Sequence, residues 1–312
     1  MPTLTEIPVK ADIVKTLVYY DVFSHPLLVE ELRQHSGITP LPALAVFQAA
    51  VDEMVADGQL YPCGRFFSLH NDNSLAEKRE QQNQLANTYM DKALKRARFI
   101  WKFPFVEAVY LSGSMSKGVM APDGDVDFFI ITKPGRLWIA RTLLILYKKL
   151  FLLNSYKFFC VNYFIDTDHL QIEERNMFTD TEVVTLVPAC DNGWYAPFLE
   201  ANSWVKDYYP NFEPRKVAQD VQNTRSVRKS FLQGLLNNGL GTSLDKLFLR
   251  LTLKRWQSKF GHLGQQDFDV AMKSRTYVSK HHPQNFQRRV IEAYETGMQD
   301  FEHQHQISLS QA

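Results

Sequence analysis

Cysteine is scarce in this 312-residue chain. Cys63, Cys160 and Cys190 are odd in number, lie far apart and belong to no CxxC or Cys/His cluster. That pattern excludes a recognisable zinc site and leaves buried thiols as the expectation. Charge in excess is lacking too: a net charge of +1 argues against a nucleic-acid coat, a membrane-surface protein or an acidic tail. Any polyanion site must therefore be local. The first thirty residues lack a basic stretch, an uninterrupted apolar run and a small-residue cleavage site, so no secretory signal is read and a cytoplasmic protein is expected. A membrane-length apolar run is missing as well, because Arg141, Lys148 and Lys149 interrupt residues 137–153, which fall short of about 20 apolar positions. That stretch is expected as a core helix, with no membrane partner. No internal repeat or low-complexity tract is present apart from a polar tail after His303.

What remains is an ordinary globular balance, 45% hydrophobic and 22% charged, enough for two or three compact units. Residues 11–23 place Ile13, Leu17, Val18, Tyr20 and Val22 roughly on one helical face, and His25-Pro26 ends that helix. A second helix over 28–35 stops at Gly37, a third over 41–56 stops at Gly58, and two short extended pieces turn at Cys63-Gly64. Three short helices and a hairpin resemble a winged helix-turn-helix over about the first 70 residues. DNA binding by that module is disfavoured: the third helix carries Asp52, Glu53 and Asp57 with no Lys or Arg, and the hairpin offers only Arg65. A structural or partner-docking role is expected instead.

Residues 74–101 are polar and helix-favouring, acidic and glutamine-rich at the start and basic at the end, and read as a solvated connecting helix. From Val106 the texture becomes strand, glycine-containing turn, strand over 126–132, helix over 137–153, then an extended run over 157–165, which is the core of an α/β domain. Beyond Glu173 the pattern is mainly helical. The expected organisation is a module over 1–73, a connecting helix over 74–104, an α/β core with a mixed sheet over 105–180 and a helical region over 181–312.

The informative stretch runs from Val109 to Ile131. An apolar strand enters Gly113-Ser114, ten residues follow, and Asp125-Val126-Asp127 opens a second apolar strand. Strand alternation puts Asp125 and Asp127 on one side and leaves Val126, Phe128 and Ile130 to pack on the other. Two neighbouring carboxylates repel unless a cation lies between them, and Mg²⁺ accepts one or two carboxylates together with substrate phosphates. Gly113 lets backbone approach a phosphate, Ser114 adds a hydroxyl donor, a short helix from Met115 would aim free amides at the same anion, and Lys117 would add a point charge.

Gly-Ser, a ten-residue connection and Asp-x-Asp before a strand resemble the signature of the nucleotidyltransferase superfamily that includes DNA polymerase β and the small antibiotic-modifying nucleotidyltransferases. The resemblance covers residues 109–132 in motif and about 106–166 in layout. It implies a triphosphate on Gly113 and Ser114 with Lys117 beside it, and Mg²⁺ or Mn²⁺ on Asp125 and Asp127. It also implies a third carboxylate on a neighbouring strand that completes a second metal site and helps activate an acceptor hydroxyl. Along residues 158–166, Asn162 and Asp166 share a face by alternation, so Asn162 is the candidate metal ligand by position and Asp166 the candidate catalytic acid by charge.

The resulting expectation is an enzyme that moves a nucleoside monophosphate from a triphosphate such as ATP to an unknown acceptor and releases pyrophosphate. Asn162 at the third acidic position leaves open a non-catalytic nucleotide-sensing regulator. Metal-dependent glycosyltransferases also use Asp-x-Asp, but place a longer strand-and-helix half ahead of it than this helical start provides. The late cations Lys273, Arg275, Lys280, Arg288 and Arg289, with His281 and His282, could meet a triphosphate or an anionic acceptor, or form a solvated helical face; no metal site is expected at the two histidines.

Overall fold

The computed structural model describes residues 6–153, 155, 157–217 and 227–309. Helices α1 (Glu6–Asp21), α2 (Val29–Gln34) and α3 (Leu44–Ala56) lead into an antiparallel hairpin of β1 (Tyr61–Cys63) and β2 (Phe66–Ser68). Val14, Leu17 and Val18 of α1, Leu32 of α2 and Phe47, Val51 and Met54 of α3 close into one buried core, which Val290 and Phe301 complete. Leu27 pairs with Phe67, fastening the α1–α2 loop to the hairpin.

α4 (Ser74–Trp101) differs from its sequence reading. It is not merely a solvated connector, because Ala86, Ala93, Ala97 and Ile100 form a buried stripe beneath the sheet. Small side chains at helical spacing let the helix approach closely while its other faces stay charged, so overall polarity concealed the stripe. Buried Arg79 reaches back from α4 to the Pro26 carbonyl and the Glu31 carboxylate, tying the first module down.

The sheet that follows has the order β6-β3-β4-β5-β8-β7. β3 (Val106–Ser112) leads through the single turn of α5 (Gly113–Ser116) to β4 (Asp127–Thr132), its antiparallel neighbour. α6 (Leu137–Phe151) crosses to β5 (Cys160–Asp166), parallel to β4. On one face Val109, Val126, Phe128, Ile130 and Phe164 pack with α4 and α6; on the other Ala108, Tyr110, Phe129, Ile131 and Ile165 form a second core. α6 buries Leu137–Ala140 and Leu144 but leaves Leu150 and Phe151 exposed at its far end. Among the described residues no helix is long and apolar enough to cross a membrane.

The remaining elements are α7 (Met177–Thr185), β6 (Val187–Asp191), α8 (Tyr195–Ala201), a single 3-10 turn over Ser203–Asp207, α9 (Val227–Leu236), α10 (Gly239–Phe260), α11 (Gln265–Ala271), β7 (Ser274–Arg275), β8 (Val278–Lys280) and α12 (Phe286–His305). The region read as mainly helical thus also supplies both edges of the sheet; its residues 218–226 lie outside the described residues. β6 contains a proline and β7 and β8 span two or three residues, too few to display alternation. α12 returns to α1, where a Cβ on Gly297 would come within 2.9 Å of Val18 Cγ1, so glycine permits the contact. The chain's end thereby brings the first module and the sheet around one cavity.

Candidate active site

β3 and β4 pair Ser112 with Asp127, so the chain leaving β3 turns directly above the first residue of β4. Gly113 makes that turn with φ +63°. A Cβ there would lie 2.5 Å from Asp127 Oδ2, so both the backbone conformation and the space demand glycine. Ser114 stands exposed at the edge of the same cavity. The connecting loop is held by Met120 N–H to the Gln82 carbonyl and Val126 N–H to the Lys157 carbonyl, which steadies Asp125 just ahead of β4.

The parallel register sets Cys160 beside Asp127. Asp125, Asp127 and Cys160 offer ligand atoms that all lie within 4.8 Å of one another. Burial, and then the neighbouring Asp125 carboxylate, push the Asp127 acid up to about 7. Burial and the two acids also push the Cys160 thiol up. Asn162 Nδ2 donates to Asp127 Oδ1 at 2.7 Å, so in this arrangement its amide is a donor to the acid.

The third candidate acid requires a correction. Phe128 pairs with Val161 but Phe129 pairs with Tyr163, which makes Asn162 the extra residue of a bulge. One added residue reverses the alternation, so Tyr163 lies on the Asp127 face while Asp166, opposite Thr132, lies on the other. Asn162 and Asp166 therefore do not share a face. Asp166 also ends the strand, six residues from Cys160 and about 20 Å away at 3.3 Å per residue. Its carboxylate accepts from the Asp168 N–H at 3.1 Å and pairs with His169 at 2.8 Å, forming a strand-end turn.

Lys117 lies at the other side of the acidic pair, and a residue absent from the sequence reading meets it there. Glu182 of α7 accepts from Lys117 Nζ at 2.6 Å and from the Gly113 N–H at 3.2 Å. Its carboxylate takes the two donors that a phosphate would need. Nothing local marks Glu182 in the sequence; only the packing of α7 against this end of the sheet brings it in. Glu182→Gln keeps the shape but removes the charge that competes with an incoming anion. Calorimetry with a non-hydrolysable triphosphate is expected to give about three- to tenfold tighter binding than the parent, since a charge-assisted contact of this exposure is worth about 1 kcal/mol; equal or weaker binding would count against competition.

Around these groups opens a cavity of about 820 Å³. Tyr20, Phe23 and His25 of the first module form one wall, Phe178 and Glu182 of α7 another, and Lys280 to Phe286 a third. The late basic residues divide here. Lys280, His281 and His282 line the cavity, whereas Lys273 is held by Glu173 at 2.6 Å and Glu174 at 2.9 Å, and Arg288 pairs on the surface with Asp267 and Glu292. Burial lowers His281 to about 3 and His282 to about 4, so both rings are neutral at physiological pH.

Residues 90–173 match the family model of the nucleotidyltransferase domain. The matched segment contains Gly113, Ser114, Lys117, Asp125, Asp127, Asn162 and Asp166, while Glu182 and the Lys280 wall lie beyond it. Searches of curated proteins and of solved structures returned no match. That match supports nucleotidyl transfer as the general chemistry, and the mixed sheet with flanking helices is consistent with such a core.

Proposed function

We propose that this chain is a metal-dependent nucleotidyltransferase that moves a nucleoside monophosphate from a triphosphate such as ATP to an acceptor hydroxyl, releasing pyrophosphate. The observation that carries the reading is the contact between the turn and the acid: Gly113 lies so close to Asp127 that a methyl group would not fit between them. Phosphate at Gly113-Ser114 and cation at Asp125 and Asp127 would then share one space, the requirement for phosphoryl chemistry.

The donor set fits a divalent ion. Asp125 and Asp127 supply hard oxygens suited to Mg²⁺ or Mn²⁺, and burial followed by the Asp125 carboxylate raises the Asp127 acid, a cost that a bound cation would offset. Asn162 would join as a ligand only by turning its amide oxygen inward. When bound, the metal neutralises the charge that develops on the attacking and leaving oxygens. Lys117, released by Glu182, would hold the phosphates. Asp166, on the opposite face, is set aside as a catalytic acid.

The helices and hairpin of the first module support its winged-helix reading, and the acidic exposed face of α3, with Asp52 and Glu53, supports partner docking over DNA binding. Because Tyr20, Phe23 and His25 face the cavity, the module also serves as a wall of the site.

The test mixes the protein with Mg²⁺ or Mn²⁺ and each triphosphate in turn, following pyrophosphate and melting temperature. A triphosphate-dependent rise in melting temperature together with pyrophosphate release supports the reading; neither, with any triphosphate, defeats it. One observation favours a nucleotide-sensing regulator instead: Asn162 stands where a third acid would help an acceptor lose its proton, and donates to Asp127. In that case the triphosphate raises the melting temperature and no acceptor yields pyrophosphate.

A further inference from the structure

The far wall of the cavity holds a cation that the chemistry above does not use. Lys280 is only 6% exposed, yet among the described residues no carboxylate lies within ion-pairing distance of its ammonium. It donates to Gln287 Oε1 at 2.9 Å and stands over the Tyr163 ring at 5.8 Å. Burying an ammonium on those two contacts alone is costly, and a wall of that kind invites an anion.

A second group on the same cavity has one oxygen without a partner. Glu174 gives one oxygen to Lys273 at 2.9 Å, but its Oε2 is buried and meets no donor among the described residues. Glu174 and Lys280 both line one chamber without pairing with each other. The lining they share with the acidic pair includes Phe129, Tyr163, Ile172 and Phe178. His281 and His282, neutral through burial, do not compete for an anion.

The sheet sets the distance. Lys280 is registered with Tyr163, and Tyr163 with Phe129, two residues along β4 from Asp127. Two strand spacings and two residues of rise separate the Cα atoms of Lys280 and Asp127 by roughly 12 Å, with both side chains on the cavity face. Both side chains stand off the same face of the sheet, so their tips stay about as far apart as their Cα atoms, a span suited to one extended amino acid with an aromatic side chain.

We propose that the acceptor is a free α-amino acid with an apolar body and a distal hydroxyl. Its carboxylate pairs with Lys280, its ammonium donates to Glu174 Oε2, and its hydroxyl reaches the space beside Asp125 and Asp127. This rests on the nucleotidyl-transfer reading of the same site. The hydroxyl oxygen forms a bond to the α-phosphorus, the bond from that phosphorus to the bridging oxygen breaks, pyrophosphate leaves with the electron pair, and the hydroxyl proton passes to solvent.

L-tyrosine is the probe, with tyramine lacking the carboxylate and 3-(4-hydroxyphenyl)propionate lacking the ammonium. Calorimetry of L-tyrosine with the full chain, without nucleotide, tests the wall independently of transfer. Expected are measurable binding of L-tyrosine, at least tenfold weaker binding of each analogue, and at least tenfold weaker L-tyrosine binding by Lys280→Met and by Glu174→Gln. Lys280→Arg should recover part of the affinity, and metal-free melting of Lys280→Met at or above that of the parent certifies its fold. The triphosphate-dependent rise in melting temperature should survive in Lys280→Met. Absence of L-tyrosine binding, tyramine binding as well as L-tyrosine, or loss of the triphosphate response in Lys280→Met overturns the proposal, the last by assigning Lys280 to the nucleotide. L-tyrosine binding without any triphosphate response would instead defeat the nucleotidyl reading and leave the amino-acid site standing.

Discussion

Asp127→Asn is expected to abolish turnover while making the metal-free protein harder to melt at pH 8. The two effects share an origin. Asp127 is pushed up to about 7 from an ordinary 3.8 by burial and by Asp125. Between those values the folded chain holds a proton that the unfolded chain releases, so stability falls as pH rises through that window, and the full penalty is present above pH 7. A shift of that size corresponds to an upper bound of about 4 kcal/mol, and the amide, which can still accept from Asn162 Nδ2, should recover roughly 2–3 kcal/mol of it. The gain should shrink as pH is lowered and vanish near pH 4, where the parent acid is also neutral. Adding millimolar Mg²⁺ or Mn²⁺ should reverse the order, because a ligand that binds only the parent's folded state stabilises only the parent. Turnover should fall by about 10³-fold or more, the equivalent of some 4 kcal/mol of lost charge stabilisation. Melting curves at pH 5, 6 and 8, with and without metal, check the stability half. A variant that melts below the parent at pH 8 without metal would show that neither burial nor Asp125 strains the Asp127 carboxylate.

The same residues explain what could be read from the chain and what could not. Gly113, Asp125 and Asp127 were legible because their chemistry is written in adjacent positions: a glycine after an apolar strand, and acids alternating with Val126 and Phe128, which do pack on the opposite face. The β5 bulge was not legible. No glycine or proline marks Asn162, and strict alternation therefore assigned Asp166 to a face that the added residue takes away from it. Glu182 and Glu174 escaped for another reason, and Lys280 could not be told apart from the other late cations. The three reach the cavity from α7, the loop before it and β8, and their roles come from what each faces, which no local pattern records. The alanines of α4 show the opposite limit, since a helix can be strongly polar in composition and still keep one narrow buried stripe.

Gly113→Ala carries the second large effect, and it separates the turn from the acids. Alanine at φ +63° adds about 1 kcal/mol or more of backbone strain, and its methyl would fall 2.5 Å from Asp127 Oδ2 and 3.3 Å from Cγ. Something must move. Asp127 can swing away only by giving up the Asn162 hydrogen bond and its approach to Asp125, while the turn can shift only by displacing the Gly113 N–H that Glu182 now occupies. Either adjustment parts the phosphate cradle from the cation site, so triphosphate-dependent stabilisation and metal binding should both weaken, and turnover should fall by about 10²-fold or more, as misplacement of reacting groups by an ångström does. The metal-free protein should lose about 1–3 kcal/mol at pH 8. Gly135→Ala is the control: it has a similar φ of +63° with nothing within 4 Å of the added methyl, so it carries the backbone strain without the clash. If Gly135→Ala and Gly113→Ala lose equal stability and both keep turnover, the closeness of Gly113 to Asp127 has no bearing on catalysis. If only Gly113→Ala loses turnover, the shared space between turn and acid is what the reaction needs.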